Sequence, residues 1–116
     1  MLINNKTIHD VHDLEVKEKR EAKIFIRGAV YCWLNTHGED VFAVRDLFGK
    51  DNTDWTGTPL ECVWNKNKRA GKNNDEAFEQ SAKDVGWLLK AVLEEDRLEF
   101  KVTKSGLTNG YSWIRK

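Results

Sequence analysis

Two basic runs in the sequence contain the residue types that could bind a negatively charged partner. Residues 65–72 contain four cations and no acid, and residues 97–116 contain five cations and one acid, Glu99. Lysine and arginine neutralise the phosphates of nucleic acids, although a charge run is more often a solvated linker. The cations are Lys66, Lys68, Arg69 and Lys72 in the first run, and Arg97, Lys101, Lys104, Arg115 and Lys116 in the second.

A third set of candidate residues lies on the polar face of a predicted helix over residues 73–96. Asn73 and Glu76 form a capping-box pattern at its start, and apolar residues then recur at three- and four-residue spacing. Trp87 on the polar face either packs on the preceding helix, as most large aromatic residues do, or contacts a partner protein or an exposed base. The polar face carries Gln80, Lys83, Trp87 and Lys90.

A hairpin is predicted after this helix, because the period of the apolar residues changes from about 3.6 to 2 beyond residue 97. We predict strands over residues 97–103 and 111–115, joined by a loop over residues 104–110. Leu107 in this loop would either fold back on the sheet or insert as an apolar wedge into a groove or a partner's pocket. The expected cross-strand pairs are Thr103 with Tyr111, Phe100 with Ile114, Lys101 with Trp113, and Glu99 with Arg115.

The earlier part of the chain predicts shorter or less regular elements. Residues 1–16 are weakly patterned and predict an arm that is partly ordered by packing on the body. Residues 17–36 predict a helix that is apolar on nearly all sides, and such a helix is expected at the centre of a fold. A short strand is predicted over residues 41–44, followed by one helical turn over residues 45–48. Residues 58–70 predict a helix that begins with a capping box.

This order of elements over residues 18–116 resembles the winged helix-turn-helix family, in which a short strand after the first helix joins the hairpin. The resemblance implies an α+β fold with three or four helices and a small three-stranded antiparallel sheet. Residues 1–16 would form an N-terminal arm and residues 17–116 a winged-helix-like domain. The helix over residues 58–70 is additional to the simplest winged helix. In this family the helix before the hairpin commonly enters the major groove, and the wing contacts the DNA backbone or the minor groove.

Size, charge and cysteine content exclude several classes of protein. A chain of 116 residues has room for one domain, and its formal charge of zero provides no overall basic field. The sequence contains neither an apolar run of membrane-spanning length nor the pattern of a secretory leader, so we expect a soluble cytoplasmic protein. Cys32 and Cys62 lie among apolar residues and are expected to be buried and reduced.

The sequence offers little for catalysis. It contains no phosphate-binding glycine loop, no nucleophile elbow and no complete metal-ligand spacing, so we predict neither enzyme activity nor a cofactor or metal. His9 and His12 are ligand-type residues, but no further histidine or cysteine cluster completes a site, and solvated side chains are the simpler interpretation.

The function we expect is DNA binding by a small regulatory protein. The hairpin and the cations of residues 66–72 would contact phosphates, and Lys83, Trp87 and Lys90 would face the groove. The alternative is a protein-binding regulator or inhibitor on the same scaffold, because the predicted long helix carries seven acids against two lysines. An exposed Trp87 would also allow a dimer. Small chains of this kind look like accessory proteins of phages or mobile elements.

Overall fold

Four α-helices precede a two-stranded antiparallel hairpin in the part of the chain that the computed structural model describes, residues 1–49, 54–105 and 108–115. This is the α+β class that the sequence predicts. None of the helices in these residues combines the length and the apolar character that a membrane span requires. The helices are α1 (Val16–His37), α2 (Val44–Phe48), α3 (Glu61–Arg69) and α4 (Asn74–Glu95), and the strands are β1 (Phe100–Ser105) and β2 (Thr108–Trp113).

The central helix of the fold is α4, which packs against α1, α2 and α3. Its start contains the predicted capping box: the Asn73 side chain accepts a hydrogen bond from the Glu76 N–H at 2.9 Å, and the Glu76 side chain accepts one from the Asn73 N–H at 3.2 Å. The apolar stripe behind this start is fully buried at Val85, Leu89 and Leu93. The predicted helix over residues 73–96 is therefore confirmed.

α1 lies on the surface and not, as its composition predicts, at the centre. Its buried residues form only a narrow stripe, and the other apolar side chains are largely outside it. Val16 and Ile24 are 85% and 65% exposed. The prediction of a helix buried on all sides is wrong because α1 packs on α4 and α2 through this one stripe. The stripe consists of Ala22, Ile26, Val30 and Leu34.

The two cysteines are less buried than their apolar neighbours suggest. Cys32 is exposed on the outer side of α1, so the prediction that it is buried is wrong. Cys62 is half-buried in α3, where burial raises the pKa of its thiol. Both are free thiols.

The register of the hairpin differs from the predicted register by one residue. Val102 lies opposite Tyr111 and Phe100 lies opposite Trp113, and only two residues separate β1 from β2. A shift of one residue exchanges the two faces of a strand. The observed register brings Val102 and Tyr111 together on the buried face, and the predicted register is therefore wrong. The predicted pairs that it replaces are Thr103 with Tyr111, Phe100 with Ile114, Lys101 with Trp113, and Glu99 with Arg115.

Single backbone pairs extend the sheet at both of its edges. On one edge Leu2 forms a parallel bridge with Phe100. On the other edge Phe42 exchanges two hydrogen bonds of 2.8 Å with Tyr111. The expected third strand is reduced to this pair, because Val44 already begins α2.

The N-terminal arm runs along the edge of the sheet and then across α4. Leu2 and Val11 anchor it in the core. Between them the Asn4 side chain exchanges two hydrogen bonds of 2.9 Å with the backbone of Val102, as a strand residue would. The position of the arm therefore determines which part of α4 is exposed to solvent.

Candidate binding surfaces

The arm covers the face of α4 that is predicted to contact DNA. The ring of His9 stacks on Trp87 with the ring centres 4.1 Å apart, so that Trp87 is half-buried under the arm. Lys90 is only 2% exposed, and its ammonium donates to Asn5 Oδ1 at 2.8 Å. Burial lowers the pKa of Lys90, partly opposed by the charge of Glu94. Lys90 is therefore buried, although its spacing along the helix predicts an exposed residue on this face.

A buried polar network between α3 and α4 contains two further candidates, Lys66 and Gln80. The Lys66 ammonium lies 2.9 Å from Asp84 Oδ2, and the Gln80 amide donates to Asp84 Oδ1 at 3.0 Å. Asn67 donates to the same Oδ2 at 3.1 Å and to Ser81 Oγ at 3.0 Å. Because both oxygens of Asp84 are used in this way, Lys66 is paired inside the protein and is not a free cation of the basic run.

The other candidates of the first basic run and of α4 remain closer to solvent. Lys68 is exposed, and its ammonium donates to the backbone oxygen of Lys72 at 3.0 Å and to a side-chain oxygen at the start of α4. Arg69 is exposed and Lys72 is half-buried. Lys83 is exposed and lies 3.6 Å from Glu79, one turn earlier in α4. Local hydrogen bonds thus hold the side chain of Lys68, and Lys83 forms an ion pair within α4.

The hairpin exposes its cations but divides them between two faces. Lys101 and Lys104 are both exposed on β1, and they point to opposite sides because side chains alternate along a strand. Arg115 is exposed as well, and its guanidinium lies 4.3 Å from the centre of the Trp113 ring. The hairpin cations therefore do not form one single-faced patch. Two predicted residues, Leu107 and Lys116, lie outside the described residues.

A groove of about 630 Å³ lies between the first half of α1 and the end of α4, and we call it the cationic groove. Its lining combines the exposed aliphatic residues Val16 and Ile24 with five cations and two acids, Glu95 and Asp96. The cations are Lys19, Arg20, Lys23, Arg27 and Arg97.

The charges of the cationic groove are only partly balanced. Three of its cations form ion pairs within the protein, whereas Arg20 and Arg97 are exposed, and their guanidinium groups have no hydrogen-bond or ion-pair partner among residues 1–49, 54–105 and 108–115. Five cations face three carboxylates once Asp10 of the arm is included, which leaves two positive charges in excess. The pairs are Lys23 with Glu95 at 2.8 Å, Arg27 with Asp96 at 3.4 Å, and Lys19 with Asp10 at 2.6 Å.

Asp96 fixes one side of the cationic groove. Its carboxylate accepts hydrogen bonds from the Tyr31 hydroxyl at 2.8 Å and from the Leu98 N–H at 2.9 Å. Burial raises the pKa of Asp96, but these hydrogen bonds and the Arg27 guanidinium outweigh burial, so its pKa lies below the ordinary value. Asp96 therefore remains ionised at neutral pH and holds Arg27 beside the groove.

The cationic groove was not predicted, because the apolar composition of α1 predicts a central helix. Arg20, Ile24 and Arg27 recur at four- and three-residue spacing, which places them on one side of a helix. Two arginines on the same side as an isoleucine are a signal of an exposed, mixed face, and this signal was present in the sequence.

No family model matches the sequence, and no match is found among curated proteins or among solved structures. A functional interpretation therefore starts from the chemistry of the surfaces themselves.

Proposed function

We propose that this chain is a small regulatory protein that binds another protein, and that the cationic groove holds an acidic, partly apolar segment of this partner. One observation carries the proposal. The groove brings two guanidinium groups that are unpaired among the described residues, those of Arg20 and Arg97, together with Val16 and Ile24, the exposed aliphatic residues at its wall.

The chemistry of the cationic groove selects for such a ligand. Guanidinium groups bind carboxylates through two parallel hydrogen bonds, and arginine is enriched at protein interfaces. Burial of an exposed isoleucine or valine adds a favourable contribution of about 25 cal/mol per Å² of apolar surface. Because Arg20, Ile24 and Arg27 lie on one side of α1, a partner helix with acidic and apolar residues at similar spacing would complement them.

DNA binding through the hairpin is the second candidate function. It is supported by the exposure of Lys101, Lys104 and Arg115, which could neutralise phosphates. If the scaffold is a winged helix, α4 would have to approach the duplex. That helix begins with the acids Asp75 and Glu76, which would repel phosphates, and the arm covers its predicted contact face. Protein binding is therefore the better supported function.

A titration with a designed helical peptide tests the leading proposal. The peptide carries Glu and Leu at three- and four-residue spacing, and the full chain is labelled with ¹⁵N. We expect saturable shifts of the amide signals of α1 and of the end of α4. The double variant Arg20→Glu, Arg97→Glu should weaken binding at least about tenfold, because it replaces two attractive contacts with repulsive ones.

The matched control is Lys83→Glu, which reverses an exposed cation outside the cationic groove. It should leave the affinity for the peptide within about twofold, because its charge is exposed and screened. The proposal is contradicted by a lack of saturable shifts, by shifts confined to other surfaces, or by equal weakening in the control.

Titration of a labelled duplex at two salt concentrations tests DNA binding. Phosphate contact predicts an affinity that falls steeply with salt, and the double variant Lys101→Glu, Lys104→Glu should then lose binding. Absence of binding at low salt would remove this function, and it would leave the result of the peptide titration unaffected.

A further inference from the structure

A second cavity, of about 250 Å³, lies between residues 54–56, the first half of α3 and the first half of α4. We call it the aromatic pocket. Three aromatic side chains and two acids line it, together with Thr56 and Ser81, and none of its described lining residues is basic. The aromatic residues are Trp55, Trp64 and Phe78, and the acids are Asp54 and Glu61. This composition is the reverse of that of the cationic groove.

Among the described residues, the aromatic rings of the pocket make no stacking or cation–π contact with another ring or with a cation. The ring contacts among the described residues occupy the other three tryptophans: Trp33 stacks on His37 at 3.7 Å, Trp87 stacks on His9, and Trp113 lies under Arg115. No such contact within the described residues involves Trp55, Trp64 or Phe78. The two remaining tryptophans, Trp55 and Trp64, thus line one cavity together.

The acids add negative charge at the same place. Asp54 Oδ1 accepts hydrogen bonds from the Thr56 hydroxyl at 2.6 Å and from the Thr56 N–H at 2.9 Å. These bonds lower the pKa of Asp54, so its carboxylate is ionised at neutral pH. Glu61 is half-buried at the first residue of α3 and lines the same cavity.

We propose that the aromatic pocket binds an alkylated ammonium group, with the cation against Trp55, Trp64 and Phe78 and its charge balanced by Asp54 and Glu61. The faces of aromatic rings attract cations, tryptophan most strongly, and quaternary ammonium groups are recognised by aromatic surroundings of this kind. The pocket is smaller than the roughly 300–1,000 Å³ of sites for drug-sized ligands, so it suits a head group or a side chain. The source of the group is either a free quaternary amine or a methylated lysine of a protein.

The test compares choline with its neutral isostere 3,3-dimethylbutan-1-ol on the ¹⁵N-labelled full chain. The observed signals are the indole N–H resonances of Trp55 and Trp64, assigned with single Trp→Phe variants. We expect saturable shifts of both signals with choline, and at least about fivefold weaker binding of the alcohol, because only the cation interacts with the ring faces and the carboxylates. The proposal is overturned if the alcohol binds equally well, or if choline gives no saturable shift of either indole.

Two carboxylate variants extend the test. Asp54→Asn and Glu61→Gln should each weaken choline binding about threefold or more, because each removes one negative charge beside a partly desolvated cation. The control Glu39→Gln removes an exposed acid outside the pocket and should have no effect. Loss of affinity in the control that equals the loss in both pocket variants would overturn the proposal, since it would indicate only a general effect of charge.

A peptide that contains trimethyl-lysine distinguishes the two sources. Binding of this peptide at least about tenfold tighter than choline supports a protein side chain as the ligand, because only the peptide adds contacts outside the pocket. Equal or tighter binding of choline supports a free amine. An unmethylated lysine peptide that binds as tightly as the methylated one would overturn the specific preference for an alkylated ammonium group.

Discussion

The ammonium of Lys90 and the amide oxygen of Asn5 lie 2.8 Å apart and join two segments that are 85 positions apart in the sequence. Lys90 is 2% exposed, whereas Lys83, two turns earlier on the same helix, is exposed. Burial disfavours the charged form of Lys90 and lowers its pKa. The hydrogen bond to Asn5 offsets part of the free energy needed to bury this charge, and it holds the arm against α4.

Separate substitutions of Asn5 and Lys90 distinguish the contribution of the hydrogen bond to stability from the contribution of the buried charge. Asn5→Ala should lower the free energy of unfolding by about 1–2 kcal/mol, because the buried ammonium loses its acceptor. Lys90→Met keeps the apolar stem and removes the charge, so we expect a change smaller than about 1 kcal/mol. Urea unfolding followed by far-UV circular dichroism measures both, with Lys83→Met as the exposed control. A larger loss in Lys90→Met than in Asn5→Ala would contradict this view.

The ion pair of Lys66 and Asp84 provides a second test of buried charge. Their side chains are 10% and 7% exposed, and the charged atoms are 2.9 Å apart. Asp84→Asn should lower the free energy of unfolding by about 3 kcal/mol or more, because Lys66 then remains buried without a counter-charge. Lys66→Met in the same background should restore most of the loss. The control Glu79→Gln breaks an exposed pair and should cost less than about 1 kcal/mol.

Two glycines in different surroundings should respond to alanine in opposite directions. A Cβ atom at Gly110 would lie 2.7 Å from Val41 Cγ1 and 3.2 Å from the Thr103 backbone oxygen, so Gly110→Ala should destabilise by about 1–3 kcal/mol. A Cβ atom at Gly28 in α1 would have no neighbour within 4 Å among the described residues, so Gly28→Ala should stabilise by about 0.5–1 kcal/mol.

Thermal unfolding of the two alanine variants measures these changes. Val41→Ala should relieve part of the loss in the Gly110→Ala background, because the nearest clash is with the side chain of Val41. Changes of the same sign in the two single variants would contradict the described packing.

The parts of the fold that the sequence predicts correctly depend on neighbouring residues. The capping box of Asn73 and Glu76 and the apolar stripe of α4 depend on residues spaced three or four positions apart. Both are present, although Ala82 of the predicted stripe is exposed and Phe78 is half-buried. The register of the hairpin depends instead on which side chains the core accepts. Val102 and Tyr111 are both buried, and their pairing sets a register in which two residues separate the strands, in place of the predicted loop over residues 104–110.

The candidate site could not be predicted in the same way, because charge patterns do not show which cations are paired. Lys66 and Lys90 have the spacing of surface residues, yet Asp84 and Asn5 hold them in buried contacts across 18 and 85 positions. Arg20 has no such partner among the described residues and remains exposed beside Ile24. Whether a cation is paired or exposed thus depends on contacts between residues far apart in the sequence, and the periodicity of the sequence does not show these contacts.

Tyr111 should make the stability of the fold sensitive to alkaline pH. Burial raises the pKa of its hydroxyl from 10.0 to about 12, only partly offset by a hydrogen bond with Asn109. Between these values the unfolded chain has lost a proton that the folded chain retains. The contribution of Tyr111 is therefore complete below pH 10 and falls as the pH rises towards 12, by about 2–3 kcal/mol in total.

The variant Tyr111→Phe isolates this effect, because phenylalanine does not ionise and the titration of the lysines is common to both proteins. Urea unfolding at intervals from pH 8 to 11.5 gives the free energy of unfolding of each protein. We expect a constant difference below about pH 10, followed by a steeper decline for the parent chain, since only its unfolded state gains from losing the phenolic proton. Parallel declines over the whole range would mean that the Tyr111 hydroxyl titrates in the folded protein as it does in water, and that β2 does not exclude solvent from it.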